Sequence, residues 1–301
     1  MINYARYLSD DRFAIFLIHG VAEGRQYRVR NYTKKHISRE RFITILDELS
    51  ATGTAVSMDD VLRAHDGSQA LPKRSFVITF DDGFANNASV AAPVLARLRT
   101  PATFYVTTDF VDENKPSWID LIEYAFERAD VVRLDIPALG GSLSCATSEE
   151  KIALLDRIRS YVKGDSRIDP TAFAQSIWEQ LGAVAFEPDP ELDQKLSWNE
   201  VRELDREPLF SVGGHGKTHA ILEYLGDEGL QSEIDTSISR LTHELSHPIR
   251  HYSYPEGLPH CYSDRVIRLL KARGILAAPS AIEGVNAAGD DLFHLRRIMV
   301  V

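Results

Sequence analysis

Short apolar segments alternate with amphipathic helical patterns along most of the chain. The segments Ser75–Phe80 and 102–107 are rich in β-branched and aromatic residues, and Val90, Val94 and Leu98 recur between them at helical spacing. This order predicts two parallel strands joined by a crossover helix. Because similar units follow one another along the chain, we expect an α/β fold.

Polar residues mark the starts of two predicted helices. Ser38 precedes a segment whose apolar residues fall on one helical face, and Gly53 follows that segment. Residues 197–200, Ser-Trp-Asn-Glu, have the form of a capping box. A serine at the N-cap accepts hydrogen bonds from free backbone N–H groups, and glycine favours the end of a helix. We therefore expect helices to begin after Ser38 and after Ser197.

The regular alternation is interrupted between about residues 130 and 195. Helical patterns at 152–162 and 173–181 are separated by glycine and proline residues. We interpret the segment 130–195 as a helical insertion within a single domain that spans residues 1–301. Beyond it, the pattern predicts a strand at 209–212, a long helix at 230–245, a strand at 252–254, a helix at 263–272 and a strand at 275–278.

The composition is typical of a globular protein with an acidic surface. The 301 residues are 44% hydrophobic and 26% charged, and the formal net charge is −10. No run of lysine and arginine is long enough to follow a phosphate backbone, which argues against nucleic-acid binding. No segment approaches the roughly 18 consecutive apolar residues of a membrane span, so we expect none.

Two features predict a cytoplasmic location. Residues 1–11 lack a basic start followed by an apolar stretch, so they do not resemble a secretory signal. Cys145 and Cys261 are far apart and outside any CxxC pattern, which argues against a disulfide framework and fits a reducing compartment.

Four predicted strands end on polar or conformationally restricted residues. These are His19, the adjacent Asp81 and Asp82, His215, and Pro255. Because the carboxyl ends of parallel strands meet on one side of a barrel or open sheet, residues scattered in sequence converge there. We therefore expect these residues to form one site.

Taken singly, the polar residues fit more than one role. Asp81 and Asp82 suit a tight turn or a helix N-cap as well as a ligand role. His215 and His219 are four residues apart, which lets both face one ion from a helical turn, although such pairs also occur by chance. Together, a strand-end carboxylate and two imidazoles supply three ligands and leave positions for water and substrate, as in a catalytic metal site.

Two of these segments carry a resemblance to a known family. Residues 79–83, Thr-Phe-Asp-Asp-Gly, and residues 215–219, His-Gly-Lys-Thr-His, resemble the first two motifs of the polysaccharide deacetylases, also called NodB-like or carbohydrate esterase family 4. Supporting resemblance lies at 93–95, 101–105, 118–120, 196–198 and 254–257. It implies a distorted, incomplete (β/α) barrel of the NodB-like type, which here carries the helical insertion.

The same resemblance implies the roles of the four central residues. Asp81 corresponds to the general base, and Asp82, His215 and His219 correspond to the ligands of a divalent metal, zinc or else cobalt, nickel or manganese. The chemistry agrees, since one carboxylate must stay off the metal to take a proton from water. The implied reaction removes an N-acetyl group from an amino sugar.

Two histidines are candidates for the general acid that protonates the leaving amine. Residues 18–21, Ile-His-Gly-Val, resemble an element that contains the acid in some extracellular-polysaccharide deacetylases, which favours His19. Residues 292–294, Leu-Phe-His, resemble a C-terminal motif of other members, which makes His294 the alternative. A lone histidine is usually structural, and at least one of these two must be.

The sequence departs from the family pattern around its third motif. Residues 251–253, His-Tyr-Ser, stand where an arginine usually precedes the proline. Arg297 lies in a segment similar to the Leu-Pro-Arg-Ile ending of some members, so we expect it to orient Asp81; a solvated arginine is the alternative. Gly216 replaces the usual serine or threonine, and Glu256 replaces a common tyrosine.

Trp118, Tyr254 and Pro255 are the candidates for contact with the substrate. Trp118 can stack on a sugar face, although a single tryptophan more often belongs to the core. A backbone N–H near Tyr254 can share the charge of a tetrahedral oxyanion. We expect a glycan precursor, sugar nucleotide or oligosaccharide as substrate, with the insertion capping the cleft. The alternatives are a small non-sugar amide and an inactive carbohydrate-binding homologue.

Overall fold

A six-stranded parallel sheet lies at the centre of the molecule. The computed structural model describes residues 2–182 and 185–301; Met1 lies outside it, as do Ala183 and Val184 of the predicted insertion. The strands of the sheet are β1 (Ala14–Ile18), β4 (Thr54–Ala55), β5 (Ser75–Phe80), β6 (Ala102–Val106), β9 (Phe210–Gly214) and β10 (Ile298–Met299), and a small separate pair is β2 (Gly20–Ala22) with β3 (His36–Ser38). The order is β10-β1-β5-β6-β9, with β4 beside β5.

Both faces of the central strands are buried. In β5, Phe76, Ile78 and Phe80 pack into the main core, whereas Val77 faces a second cluster on the other side. Parallel strands that are covered on both faces consist of nearly continuous apolar residues. This explains why the segment at 75–80 reads as one apolar run, and it confirms the predicted strand.

Ten helices are found in the described residues, mostly around the sheet. They are α1 (Arg39–Ser50), α2 (Met58–His65), α3 (Ala92–Leu98), α4 (Thr108–Glu113), α5 (Trp118–Arg128), α6 (Ser148–Gly164), α7 (Pro170–Gln180), α8 (Trp198–Arg206), α9 (Asp227–Leu245) and α10 (Asp264–Ala272). The Ser38 side chain accepts from the N–H of Arg41, and Ser197 forms a capping box with Glu200. Both predicted helix starts are therefore confirmed.

The sheet does not close into a barrel within the described residues. Beyond β9, parallel pairing continues only as single bridges, between Gly214 and Tyr252 and between His251 and Ala277. The strands predicted at 252–254 and 275–278 are reduced to these bridges. Each segment runs into a proline, Pro255 or Pro279, which has no N–H to extend a ladder. The architecture is the predicted α/β fold with an incomplete barrel.

The inserted segment contains a β-hairpin that the sequence analysis missed. β7 (Val132–Ile136) and β8 (Gly141–Cys145) pair in an antiparallel manner before α6 and α7 begin. Buried and exposed side chains alternate along β7, and Gly140 and Gly141 both have positive φ at the connection. The apolar side chains of this segment pack with those of α5 in a core cluster separate from the main one.

Two further expectations bear on the surface and the thiols. Among the residues that the structure describes, no helix combines the length and the apolar character that a membrane span requires. Cys145 is half-buried, Cys261 is buried, and both are free.

Phe80→Ala is expected to destabilise the protein by about 3–5 kcal/mol, because it removes a buried ring and leaves a cavity. Phe80 is fully buried, with its ring centroid 5.0 Å from that of Phe104 and 6.0 Å from that of Phe42. Urea unfolding followed by circular dichroism measures the change. Leu276→Ala is the control, because this side chain is exposed and its loss should cost only about 0.5 kcal/mol. Equal unfolding midpoints for the two variants would contradict the packing described.

Candidate metal and catalytic site

Asp82, His215 and His219 come together near the carboxyl ends of β5 and β9. Asp82 Oδ1 lies 3.5 Å from Nε2 of His215 and 3.3 Å from Nε2 of His219. This oxygen is buried and has no hydrogen-bond partner among the described residues. A buried acceptor without a donor is free to act as a ligand atom for an ion.

The separations between Asp82 and each of the two histidines fit a tetrahedral metal ion. Ligand atoms that lie roughly 2.0–2.2 Å from zinc are about 3.3–3.6 Å apart at tetrahedral angles. The separations between Asp82 and the two imidazoles fall in this range. His215 Nδ1 lies 2.9 Å from the carbonyl oxygen of Ser253. Because a carbonyl only accepts, Nδ1 carries the proton and Nε2 keeps a free lone pair.

The two buried aspartates make the site attractive to a cation. Burial works against ionisation of Asp82, but Lys35 and the two histidines hold its pKa well below the usual range. Burial likewise opposes ionisation of Asp81, and Arg297 and His215 more than offset it, so its pKa is lowered. Burial lowers the pKa of His215, but Asp81 and Asp82 raise it more. The lowered pKa values keep both carboxylates ionised, and the raised pKa of His215 reflects the attraction of their negative charge for a cation, a proton or a metal ion.

His215 and His219 lie on a loop, which corrects the expected helical turn. Gly216 and His219 have φ angles of +82° and +66°, so the backbone twice enters the left-handed region. Asp82 does the same at +75°. Two of the three candidate ligands therefore adopt a conformation that non-glycine residues rarely occupy and that tends to occur at functional sites.

Glu233 of α9 holds this loop in place. Its Oε1 accepts hydrogen bonds from the backbone N–H groups of Lys217 at 2.9 Å and Thr218 at 2.7 Å. A Cβ atom at position 216 would lie 2.9 Å from Oε1, which explains the glycine there. Glu233 is not among the residues predicted from the sequence. The available signal was its position one turn from Leu230, on the buried face of α9.

Arg297 binds Asp81 in a buried bidentate ion pair. Its Nη1 donates to Oδ1 and its Nη2 to Oδ2, both at 2.8 Å, and the arginine is 1% exposed. Nη2 also donates to Ser253 Oγ at 2.8 Å, and Nε donates to the Ser280 carbonyl at 2.6 Å. Arg297 is therefore placed against Asp81, and the alternative of a solvated arginine does not describe this structure.

Lys35 is a second residue that the sequence analysis missed. Its Nζ lies 3.0 Å from Asp82 Oδ2 and 3.6 Å from Asp120 Oδ1. The two oxygens of Asp82 thus face different partners, Oδ2 the lysine and Oδ1 the histidines. Lys35 belongs to no recognisable motif, so the sequence alone offered no signal for it.

His19 lines the cavity that contains the cluster, whereas His294 does not belong to its lining. Burial lowers the pKa of His19 to about 4, so its imidazole is neutral at pH 7. His294 is exposed, and its Nδ1 lies 3.5 Å from the Tyr262 hydroxyl. Of the two candidate acids, the structure brings only His19 to Asp81 and Asp82.

Among the three predicted substrate contacts, Trp118 lines the cavity and the side chains of Tyr254 and Pro255 do not. Tyr254 is fully buried and stacks on Tyr262 with ring centroids 4.0 Å apart. Successive residues of an extended segment point to opposite sides, so Ser253 faces Asp81 while the Tyr254 side chain enters the core. The Tyr254 ring therefore belongs to the core, and the contact expected from the backbone N–H near Tyr254 stays a prediction.

Comparison with solved structures shows the same fold in several deacetylases. IcaB from Ammonifex degensii is 17% identical with a TM-score of 0.61, covering 98% of this chain and 94% of that one. The Streptococcus pyogenes deacetylase PplD, solved with acetate, is 15% identical with a TM-score of 0.60, covering 96% and 92%. A de-N-acetylase from Aggregatibacter actinomycetemcomitans is 17% identical with a TM-score of 0.60, covering 96% and 94%. The comparison with curated proteins gives no match.

The family model described as Polysaccharide deacetylase matches residues 68–278. This segment is more than half of the 301 residues. It contains Asp81 and Asp82 and the two histidines of the loop. The chain that places these side chains at the ends of β5 and β9 therefore belongs to the polysaccharide deacetylase family.

Proposed function

We propose that this protein is a metal-dependent hydrolase that removes an N-acetyl group from an amino sugar and releases acetate. The observation that supports the proposal most strongly is a three-ligand cluster beside a carboxylate that takes no part in it. Asp82 faces His215 and His219, while Arg297 engages both oxygens of Asp81. Hydrolysis with a metal needs both kinds of carboxylate, one as ligand and one as base.

Asp82, His215 and His219 are the residues that would hold the metal. Two nitrogen donors and one oxygen donor suit zinc, with cobalt, nickel and manganese as alternatives. When bound, the metal supplies a Lewis acid that polarises the acetyl carbonyl and lowers the pKa of a coordinated water. Lys35 occupies Oδ2 of Asp82 and so leaves Oδ1 as the ligand atom.

Asp81 would take a proton from the attacking water. The ion pair with Arg297 keeps the carboxylate ionised at neutral pH and fixes its orientation, since both oxygens accept from the guanidinium. Ser253 donates a further hydrogen bond to Oδ2 at 3.2 Å. A base with a lowered pKa is a weaker proton acceptor, but it is present in the reactive form across the neutral range.

The Tyr254 backbone and His19 would complete the reaction. The N–H of Tyr254 follows Ser253, whose side chain already faces Asp81, and would donate to the oxyanion of the tetrahedral intermediate. His19 would protonate the leaving nitrogen. Because burial keeps this imidazole neutral at pH 7, it must first gain a proton, and the proton that Asp81 takes from the attacking water would supply it and so balance the one delivered to the leaving nitrogen.

Removal of the metal is expected to abolish acetate release, because Asp82 and the two histidines then have no ion with which to polarise the carbonyl. The assay compares chelator-treated protein with zinc- and cobalt-restored protein on N-acetylated sugars, sugar nucleotides and chitin oligomers. Metal content is measured in parallel by mass spectrometry. Release that is indifferent to stripping would overturn the metal-dependent reaction. No release from any sugar, despite one bound metal per chain, would favour a non-sugar amide substrate.

The variant Asp81→Asn removes the proposed base and leaves the three candidate metal ligands unchanged. This variant should bind metal as the native protein does, while kcat falls by about 10²–10⁴, the usual contribution of general acid–base catalysis. Asp130→Asn is the matched control, because Asp130 is exposed and lies outside the cavity lining. Native turnover by Asp81→Asn would remove Asp81 from the role of base.

His19→Gln is expected to lower kcat by about 10²–10⁴, because the leaving nitrogen loses its proton donor. His294→Gln tests the alternative and should leave kcat near the native value. Steady-state acetate release at saturating metal measures both. A large loss in the His294 variant with a native rate in the His19 variant would reverse the assignment.

Arg297→Met is expected to destabilise the protein by about 3–5 kcal/mol, because it leaves the buried Asp81 carboxylate without a partner. The double variant Arg297→Met/Asp81→Asn should recover part of this loss, since the uncompensated charge is gone. Urea unfolding in chelator measures the four corners of the cycle without a contribution from bound metal. Arg167→Met, at an exposed arginine, is the control. Strictly additive effects would show that the two side chains are not coupled.

A further inference from the structure

The cavity beside the candidate metal ligands is small and is bordered by the inserted segment. Its volume is about 260 Å³, with Trp118 at the start of α5 and Arg159 and Lys163 of α6 in its lining. Ligand pockets of drug-sized molecules span roughly 300–1,000 Å³. The space next to Asp82 therefore suits about one sugar ring and not several.

An ion pair joins the inserted segment to the loop after the third motif. Lys163 Nζ lies 2.6 Å from Glu256 Oε2, and both side chains line the cavity. Glu256 stands where the family commonly has tyrosine, and its φ of +60° is left-handed. The two residues therefore form a continuous wall on one side of the cavity, built from α6 and from the chain that follows Pro255.

A second ion pair fixes the same wall one helical turn earlier. Arg159 Nη2 donates to Glu123 Oε1 at 2.6 Å, and its guanidinium lies over the ring of Tyr32, 5.5 Å from the centroid. Glu123 belongs to α5, so this contact ties α6 to the helix that begins with Trp118. The wall built from α6 is thus connected to α5, whose Trp118 forms another side of the cavity.

The helix that supplies this wall is anchored by its own core. Leu155, Ile158 and Val162 of α6 are buried in the cluster that also contains side chains of α5, α7 and β7. The pair of Lys163 and Glu256 is only partly shielded from water, and ion pairs within reach of solvent contribute about 0–1 kcal/mol, too little to hold a mobile helix in place. The buried face of α6 holds the helix in place. Lys163 and Glu256 therefore form their ion pair between backbone segments that are already fixed.

We propose that this wall restricts the enzyme to a single N-acetylated unit, either a monosaccharide-sized substrate or the terminal residue of a chain. An internal residue of a polymer has a neighbour on each side, and both neighbours must leave the cavity through openings. The contact between Lys163 and Glu256 closes one of these exits. The inference rests on the proposed deacetylase function and adds the class of substrate.

The test maps where acetate is lost from chitin oligomers of one to six units. Metal-loaded native protein acts on each oligomer, and mass spectrometry of end-labelled products locates the deacetylated unit. Deacetylation confined to one terminal unit is the expected result. Deacetylation of internal units by the native protein overturns the inference but leaves the proposed function intact. Acetate release from sugar nucleotides but from no oligomer supports a single-unit substrate, whereas no release from oligomers or sugar nucleotides means that the proposed function fails as well.

The double variant Lys163→Ala/Glu256→Ala tests whether this ion pair forms the wall. Removing both partners leaves no unpaired charge, and internal deacetylation relative to terminal deacetylation should rise by about tenfold or more. Asp165→Ala/Arg167→Ala is the matched control, because it removes a solvent-facing ion pair from the same inserted segment and should leave the pattern unchanged. An unchanged pattern in a folded Lys163/Glu256 variant assigns the restriction elsewhere and contradicts the proposal. If that variant does not fold, the map of the native protein still decides between terminal and internal action.

Discussion

The buried ion pair between Arg297 and Asp81 connects the chain segments from which the site is built. Arg297 directly precedes β10 at the edge of the sheet, yet its guanidinium reaches the end of β5, the hydroxyl of Ser253 and the carbonyl of Ser280. The two partners are 216 residues apart in sequence. Either charge buried alone costs several kcal/mol. For this reason β10 must pack against the sheet before Asp81 can be buried in its ionised form.

The adjacent residues Asp81 and Asp82 obtain different chemistry from their surroundings. Both are buried carboxylates, but Asp81 accepts from Arg297 and Ser253, whereas Asp82 divides its two oxygens between Lys35 and the histidine pair. When two similar carboxylates lie in different surroundings, their pKa values differ and they can take distinct roles at one site. The sequence places the two aspartates side by side but does not show which is the proposed base and which the proposed ligand, and it also allowed a turn or a helix cap.

Much of the fold and the position of the site could be predicted from the sequence, because both depend on local pattern. The continuous apolar run of β5 and the serine caps of α1 and α8 reflect burial and backbone hydrogen bonding that act over a few residues. The convergence of Asp82 with His215 follows from the geometry of parallel strands. The hairpin of β7 and β8 was missed even though its side chains alternate, because the longer helical patterns after it dominated the interpretation of that segment.

The features that the sequence did not predict depend on contacts between distant segments. The left-handed loop around Gly216 depends on Glu233, whose two hydrogen bonds to the loop come from a different helix. Lys35 acquires its role only where the chain folds against Asp82. The inward orientation of the Tyr254 ring depends on stacking with Tyr262. Such interactions have no fixed spacing in sequence, so residue patterns could indicate where the site lies but not how its loops are supported.

The inserted segment has a separate apolar core, and this has a consequence for how such enzymes diversify. Its helices and hairpin pack largely among themselves and with α5, while the candidate metal and catalytic residues lie at the ends of β5 and β9. Selection can therefore lengthen, shorten or exchange one contiguous stretch of the gene without disturbing the chemistry. With the proposed function, preference for a new substrate can arise within a lineage by changes in that stretch while the aspartates and histidines stay the same.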